Sequence, residues 1–219
     1  GSNTQLGWNY ISGTNYDGSS NNYNKILKFN SAKQFGEYMN NEYTEMVESV
    51  KEYGGFWMAR YETTATSKGK IQSISGSKPY TANWYNMYYY QESGINSNNP
   101  YYNNSDGAST MVFGSQWDAM LNWVLTGSDA DKIFNVIGNH EGVAATTGKY
   151  GSDYINNIFD TSSNVRDSTQ EALNTANRVY RGGGYGVNGN TVSSDRGIDG
   201  TTLTSSSLIG TRFTLYLKK

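Results

Sequence analysis

The segment Asn177–Leu217, NRVYRGGGYGVNGNTVSSDRGIDGTTLTSSSLIGTRFTLYL, decides how the rest of the chain is interpreted. Its front end, Arg178–Gly184, is typical of a short strand that enters a glycine turn, and its back end, Ile209–Leu217, is typical of a closing strand. The residues between them are mostly Gly, Asn, Ser, Thr and Asp, which bury too little apolar surface to offset the entropy of ordering them. A polar loop whose two ends are held by strands is typical of a binding surface carried on a rigid frame.

The composition of the 219 residues excludes several functional classes. The 17 Lys and Arg residues nearly balance the 19 Asp and Glu residues, which argues against nucleic acid as a partner and against electrostatic attachment to a membrane. No apolar run approaches the ~20 residues of a membrane span, so membrane insertion is not expected. The absence of cysteine and the single histidine, His140, exclude disulfides, thiolate chemistry and multi-histidine metal sites.

Tyrosine is abundant, with 19 residues in a chain that is also rich in Asn, Ser and Gly. Antibody-type binding surfaces favour these residue types, because tyrosine gives a large contact area at low entropy and the others give adaptable hydrogen bonding. The same composition is also typical of a loop-rich extracellular protein, and composition alone does not separate the two interpretations.

The pattern along the chain predicts helices, short strands and long loops. Residues 1–24 are polar and glycine-rich, which indicates a lead-in or a linker from an upstream region, and the domain is expected to span residues 25–219. The first predicted elements are a strand Asn24–Phe29, a helix Ala32–Met39 begun by Asn30 or Ser31, and an amphipathic helix Asn41–Tyr53 stopped by Gly54 and Gly55. A buried strand Phe56–Glu62 follows, and then a polar stretch Ala65–Gly107 that contains the aromatic run Trp84–Tyr90. The last two are a helix Gln116–Leu125 begun by Ser115 and a turn Asp160–Thr169. Two amphipathic helices with short strands and extensive loops indicate the α+β class.

Five motifs in this order resemble those of formylglycine-generating-enzyme-like domains. The resemblance implies a C-type-lectin-like fold with short antiparallel strands. It covers roughly Tyr43–Leu217 and is carried by the early strand Gly54–Glu62 (GGFWMARYE), the second helix Gly114–Trp123 (GSQWDAMLNW), the segment Asn157–Val165 (NIFDTSSNV), the glycine turn Arg178–Gly184 (RVYRGGG) and the terminal strand Gly210–Phe213 (GTRF).

Departures from the family pattern argue against its chemistry. The paired cysteines that handle copper and oxygen in the enzymes are missing, and one histidine cannot build the iron site of the sulfoxide-synthase relatives. The family's Asn-Val-Trp-Glu-Trp segment, often tied to a structural calcium, is Asn164–Ser168 here and has lost both tryptophans. Asp167 could replace the carboxylate, but calcium takes about six or more oxygen ligands. No cofactor and no metal ligand is therefore expected, and a structural calcium is left open.

The resemblance extends to variable proteins of diversity-generating retroelements in phages and bacteria, in which adenine-directed mutagenesis changes a C-terminal segment between fixed strands. The Gly184–Leu208 segment has the composition that such mutagenesis produces. Arg178, Arg181 and Arg212 are expected to be structural, whereas Tyr185 could be a contact or a packed residue and Arg196 a contact or a support for the loop. The predicted ligand-binding residues are Tyr185, Val187, Asn188, Asn190, Ser193, Ser194, Asp195, Arg196, Ile198, Asp199 and Thr201, with the rigid aromatics Trp84 and Tyr88 beside them.

The leading hypothesis is a non-enzymatic protein, with no catalytic residues, that binds a cell-surface protein or glycan. It would act outside the cell, on a virion or a bacterial surface, and whether it works as a homo-oligomer or in a larger surface assembly is left open. A second hypothesis is an atypical enzyme of the same superfamily with a pocket lined by His140, Glu141 or Asp167. A third is a structural domain of a phage tail or surface fibre, with the polar loop as inert cover.

Overall fold

The fold is α+β, as the sequence predicts, and the computed structural model describes residues 22–66, 70–172, 177–186, 191–199 and 205–219. The α-helices are α1 (Asn22–Lys25), α2 (Ala32–Tyr53), α3 (Trp84–Gln91) and α4 (Gly114–Val124), and short 3-10 helices cover Ala130–Phe134 and Gly151–Asp153. The strands are β1 (Trp57–Met58), β2 (Thr64–Ala65), β3 (Ile71–Gln72), β4 (Gly107–Met111), β5 (Tyr154–Ile155), β6 (Ile158–Phe159), β7 (Arg166–Ala172), β8 (Arg178–Arg181), β9 (Arg196–Asp199), β10 (Ile209–Thr211) and β11 (Phe213–Leu217). Within the described ranges, no helix combines the length and the apolar character needed to cross a membrane.

Helix α2 begins and ends at the predicted residues. The Ser31 side chain accepts a hydrogen bond from the Gln34 N–H at 3.1 Å, which satisfies one of the free donors of the first turn. Gly54 follows the helix in a left-handed conformation, with φ of 83°, and its N–H donates to the Val50 carbonyl oxygen at 2.9 Å.

The same helix joins two elements that the sequence predicts separately, Ala32–Met39 and Asn41–Tyr53. The predicted break is wrong, because the buried stripe continues through Met39, Glu42 and Met46 at the spacing of three and four residues that one face of a helix requires. Neither glycine nor proline stands at the junction to interrupt the backbone hydrogen bonds.

Helix α1 and a turn replace the predicted strand Asn24–Phe29. The Lys28 N–H donates to the Asn24 carbonyl oxygen at 3.1 Å, and Lys28 then adopts a left-handed conformation with φ of 65°. The Asn24 side-chain amide donates to the Phe29 carbonyl oxygen at 3.0 Å. These local bonds of asparagine close a turn and outweigh the strand propensity of the apolar residues in between.

Three further predictions differ from the structure. The predicted buried strand Phe56–Glu62 is a strand only at Trp57–Met58, and Trp57 is 56% exposed. Only the first part of Asp160–Thr169 is a turn, because β7 begins at Arg166. Helix α4 is not begun by Ser115. Its cap position is Phe113, whose N–H donates to the Gln116 side-chain oxygen at 3.0 Å.

Two sheets organise the C-terminal half. The three-stranded sheet has the order β1-β11-β4 and is antiparallel, and the four-stranded sheet has the order β10-β7-β8-β9. In the second sheet β10 runs parallel to β7, which departs from the expected antiparallel arrangement, while the other neighbours are antiparallel. Strands β10 and β11 follow each other in the chain but belong to different sheets, so the closing segment connects the two.

Two apolar clusters fill the interior. The first lies between α2, α3 and the three-stranded sheet, and the second packs α4 against the β5–β6 hairpin. Fully buried members of the first include Phe35, Met39, Tyr85, Tyr88, Met111 and Phe113, and members of the second include Val112, Trp117, Val124, Ile133 and Ile155. The two clusters together fix the helices and the sheets that surround the C-terminal segment.

Candidate functional site

Arg212 fixes the closing segment to the body of the protein, as predicted. It lies between β10 and β11 with a fully buried side chain. Its guanidinium donates to Asp167 Oδ2 at 3.2 Å and to the carbonyl oxygens of Ala59 and Phe159 at 2.8 Å each. Because all of these contacts are internal, Arg212 belongs to the frame and not to the surface that meets a ligand.

Arg178 and Arg181 fix the other end of the segment, also as predicted. Arg181 is almost completely buried and pairs with Asp118 of α4, and burial lowers its pKa to about 10, so it stays charged at neutral pH. The Arg178 guanidinium carbon lies 4.0 Å from the ring centroid of Trp84, a cation–π contact inside the protein. Both side chains of β8 therefore hold the strand against its neighbours.

The glycine turn after β8 is required by a close approach of two backbones. A Cβ atom at Gly183 would overlap the carbonyl oxygen of Ser162, and one at Gly182 would overlap that of Thr161. Gly182 is also left-handed, with φ of 73°, and its N–H donates to the Asp195 carbonyl oxygen at 3.0 Å. The turn thus packs the start of the polar segment directly against the backbone of Thr161 and Ser162.

The structure corrects the assignment of Tyr185 and Ser193 as exposed contacts. Tyr185 is only 7% exposed, and its hydroxyl donates to the Ser207 carbonyl oxygen at 3.1 Å. Ser193 is fully buried, and its carbonyl oxygen accepts a hydrogen bond from the Trp117 indole N–H at 3.0 Å. Tyr185 therefore links the beginning of the segment to its end, which is the packed role that the sequence analysis gave as one of two alternatives. Ser193 is bonded to the protein interior and fixes the middle of the segment.

Trp84 and Tyr88 are also misplaced by the sequence analysis, because their side chains are 2% and 0% exposed. They lie four residues apart on α3, so both point to the same side of the helix, and their rings stack at 5.1 Å with an interplanar angle of 10°. The Trp84 indole donates to the Thr169 carbonyl oxygen at 2.8 Å, and the Tyr88 hydroxyl donates to Glu42 Oε2 at 2.7 Å. Trp84 and Tyr88 therefore pack into the core and offer no contact surface, while Tyr89 and Tyr90 of the same aromatic run are half-buried.

The predicted contact residues that are exposed or half-buried lie on strand β9, an edge of the four-stranded sheet among the described residues, and in the turn before it. Ile198 is 49% exposed, and Arg196 is exposed while its guanidinium pairs with the buried Glu171, so it both supports the strand and faces solvent. Ser194 and Asp195 are half-buried. The other predicted contacts are not part of what the structure describes: Val187, Asn188, Asn190 and Thr201 lie outside the described residues, and the side chain of Asp199 does as well.

Tyr180 and Arg166 are half-buried residues of β8 and β7 that were not among the predicted contact residues. Tyr180 pairs with Gly197 across the β8–β9 ladder, and a Cβ at Gly197 would overlap the tyrosine hydroxyl, so the missing side chain makes room for the ring. The Arg166 guanidinium carbon lies 4.6 Å from the ring centroid of Tyr180. Successive side chains of a strand point to opposite faces, so in RVYR the tyrosine lies on the face opposite to the buried valine. This alternation is the signal in the sequence that could have identified Tyr180.

Buried carboxyl groups lie around Arg212, at the side of the four-stranded sheet that β10 forms. Burial is the main cause that raises the pKa of Asp160 to about 7 and that of Asp167 to about 6, while Arg212 acts in the opposite direction. Burial also raises the pKa of Glu62, and the charges of Asp160 and Asp167 add to the effect. Several acids share one buried cation, so the protonation of this cluster contributes to the energetics of the frame.

The acidic residues and the histidine of the described part of the chain are not grouped as a metal site would require. No group of three or more His, Asp or Glu residues is placed there to hold a metal ion, and Asp167 is engaged with Arg212. The His140 ring nitrogen Nε2 lies 3.1 Å from the Ile137 carbonyl oxygen, and Glu141 accepts a hydrogen bond from a tyrosine hydroxyl at 2.8 Å. The candidate site is therefore described by its surface chemistry alone.

Comparison with known proteins gives only weak likenesses. No protein-family model matches the chain, and no curated protein matches it. Treponema denticola variable protein 1 aligns with a TM-score of 0.35 and 13% identity over 49% of this chain and 47% of that one. The crystal structure of CarF aligns with a TM-score of 0.34 and 14% identity over 82% of this chain and 65% of that one. The chain thus matches about half of the first structure's length and just under two thirds of the second's, and neither likeness assigns a family.

Proposed function

We propose that this protein is a non-enzymatic binding protein with a C-type-lectin-like fold of the formylglycine-generating-enzyme type. Its C-terminal segment, displayed from a virion or a bacterial surface, binds a protein or a glycan on another cell. Support comes from the five ordered motifs, from the near-neutral, tyrosine-rich composition, and from the way the frame holds this segment.

The observation that carries the proposal is a polar segment fixed at several points while one edge of it faces solvent. The glycine turn at Gly182 and Gly183, the buried Ser193 and the bond from Tyr185 to Ser207 anchor it internally. Strand β9, which is an edge of the four-stranded sheet as far as the described residues go, then presents the exposed side chains of Arg196 and Ile198. A surface that is ordered before binding loses less entropy in the complex, which favours affinity.

The chemistry of this edge suits recognition by shape and hydrogen bonding. An aliphatic side chain (Ile198) and a guanidinium (Arg196) lie on one face of the sheet at β9, and a partly exposed phenol with a stacked arginine (Tyr180 and Arg166) lies on the opposite face. Such a mixture gives apolar contact area together with directional donors, as in antibody-type surfaces.

Sequencing of sister loci tests the diversification part of the proposal at single positions. Exposed or half-buried positions of the segment, namely Ser194, Arg196 and Ile198, are expected to vary between loci. The anchors Gly183 and Ser193 are expected to stay constant, because a side chain or a larger one there would displace backbone. Equal variation at both groups of positions, or none at either, would count against a diversified binding surface.

A binding assay tests the role of the surface itself. Fluorescently labelled protein is incubated with a panel of intact bacterial strains and the bound fraction is measured by flow cytometry. Ile198→Asp is expected to reduce binding at least tenfold, because an apolar side chain that the ligand would cover is replaced by a charge. Ile74→Asp is the matched control, since Ile74 is 44% exposed and lies outside the segment. If the two variants bind as well as the wild type, the segment is not the contact surface and inert cover explains it better.

A further inference from the structure

A second concavity lies away from the C-terminal segment, between α4, β1 and the tip of the β5–β6 hairpin. Its volume is about 520 Å³, and its walls include Trp57, Trp123, Arg60, Asn156 and Asn157. Clefts of roughly 300–1,000 Å³ with mostly apolar walls and a few polar groups are typical of small-ligand sites.

The two tryptophans of this concavity are unusually exposed. Trp57 is 56% exposed and Trp123 is 53% exposed, whereas Trp84 and Trp117 are 2% and 0% exposed. Both exposed indoles among the described residues therefore line the same cleft, from two separate elements. An indole gains much free energy by leaving water, so a pair left open in one cleft indicates a surface that another molecule covers.

Small residues keep the cleft open. A Cβ atom at Gly55, which forms part of one wall, would meet no other atom within 4 Å, so nothing in the packing requires this position to be empty, whereas its neighbour Gly54 is required by its left-handed backbone. On α4 Ala119 precedes Trp123 by one turn on the same side of the helix, and it places only a methyl group next to the indole. The cleft is therefore open because the residues around the two indoles, the two glycines and Ala119, have no side chain or only a methyl group.

The opposite wall is polar and fixed in orientation. Asn156 and Asn157 form the tip of the β5–β6 hairpin in left-handed conformations, with φ of 44° and 70°. Asn157 Oδ1 accepts hydrogen bonds from the Tyr154 hydroxyl at 2.6 Å and from Arg60 Nη2 at 3.5 Å. Because its oxygen is engaged twice, the Asn157 amide has its N–H₂ left to donate beside the Arg60 guanidinium, and no described residue accepts a hydrogen bond from it.

We propose that this cleft binds a saccharide. The C–H faces of pyranose rings stack on the indoles of Trp57 and Trp123, and the ring hydroxyls bond to the amides of Asn156 and Asn157 and to Arg60. The site is separate from the surface of the proposed function and does not depend on it.

Other ligand classes fit the walls less well. A lipid chain would leave the amide and guanidinium groups without partners, which carries a desolvation penalty. A phosphate-rich ligand would meet Arg60 as the only cation among the residues that line the cleft. A peptide added to the edge of β1 would find a strand of two residues, too short for an extended ladder.

Tryptophan fluorescence and titration calorimetry test the proposal with trisaccharides of glucose, mannose, galactose and N-acetylglucosamine as probes. At least one probe is expected to shift the emission of the wild type and to bind measurably. Trp57→Ala and Trp123→Ala are expected to weaken binding of that probe at least tenfold, whereas Trp123→Phe keeps an aromatic face and loses less. Phe134→Ala is the matched control, because Phe134 is 61% exposed and does not line the cleft.

A second variant tests the polar wall without a risk to folding. Asn157→Gly removes the amide at a left-handed position that glycine accepts, so the unfolding midpoint is expected to stay near that of the wild type while saccharide binding falls several-fold. The proposal is overturned if no probe binds the wild type, or if binding survives both tryptophan substitutions. It is also overturned if Ile198→Asp alone abolishes saccharide binding, which would place the sugar on β9, or if gel filtration shows a dimer that Trp123→Ala dissociates, which would make the cleft a contact between copies.

Discussion

Replacement of Asp160 by asparagine removes one ionisable group from the buried cluster around Arg212 and leaves the shape nearly unchanged. Asp160 is 2% exposed, and its Oδ2 accepts a hydrogen bond from the Gly148 N–H at 2.7 Å, a bond that an asparagine oxygen can also accept. Its backbone is left-handed, with φ of 61°, a conformation that asparagine tolerates well. Asp160→Asn is therefore expected to fold as the wild type does.

The size of the effect follows from the pKa of Asp160, which burial raises from 3.8 to about 7. The folded state binds this proton more tightly than the unfolded state, so the group's contribution to stability is fully present below pH 3.8 and is lost as pH rises through about 7. A shift of about 3 units corresponds to about 4 kcal/mol over the whole range. Between pH 5 and pH 8 the loss in the wild type is roughly 2.5 kcal/mol, and in the Asp160→Asn variant this loss is absent.

Urea unfolding at pH 5, 6, 7 and 8, followed by far-UV circular dichroism, measures this difference. The free energy of unfolding of the wild type is expected to fall by roughly 2.5 kcal/mol more than that of Asp160→Asn over this range. Asp131→Asn, which removes an exposed carboxylate, is the control and should follow the wild type closely. Parallel curves for the wild type and Asp160→Asn, or a steeper curve for the variant, would refute the argument that the Asp160 carboxyl is protonated in the folded cluster.

Three further substitutions test the frame. Gly183→Ala forces a Cβ into the Ser162 carbonyl oxygen and is expected to lower the free energy of unfolding by about 3 kcal/mol, whereas Gly151→Ala, which meets no atom within 4 Å, should change it by less than about 0.5 kcal/mol in the same urea titration. Trp84→Ala removes a buried indole and is expected to lower the unfolding free energy by about 3–5 kcal/mol, and a loss below about 1 kcal/mol would contradict its place in the core. Glu42→Gln is expected to stabilise the protein at pH 8 and to have little effect at pH 4, because burial raises the pKa of Glu42 and the glutamine mimics its protonated form; a variant that is less stable than the wild type at pH 8 would show that the charge is favourable there.

Local patterns in the sequence predicted those parts of the fold that local physics determines. The Ser31 cap, the Gly54 stop and the strand Arg178–Arg181 before its glycine turn lie where the pattern indicates, because caps and turns depend on neighbouring residues. The edge position of Ile198 also agrees with the expected exposure of the polar segment.

The parts that the sequence missed depend on contacts between distant residues. Trp84 and Tyr88 fit either an exposed strand or a buried helix, and only the packing of α3 against α2 decides between them. The exposure of Trp123 could have been deduced from its place outside the buried stripe of α4, but its cleft with Trp57 exists only in the folded chain. Tyr185 shows the same limit, since the bond to Ser207 that buries it cannot be inferred from either residue alone.

The order of the strands has a consequence for how freely the C-terminal segment can change in length. Strand β9 and strand β10 occupy opposite edges of the four-stranded sheet, so residues 200–208 must connect one edge to the other. Neighbouring strands lie about 4.8 Å apart, which makes the width to be crossed about 14 Å. Strand β9 ends level with Ala172 of β7, whereas β10 begins level with Arg166, so the connection must also return along the sheet by about 20 Å. The combined distance is about 24 Å, and nine residues can span up to roughly 30 Å. This part of the chain therefore has little length to lose, but it can gain residues, and with them a different shape of surface, without moving either strand that holds it.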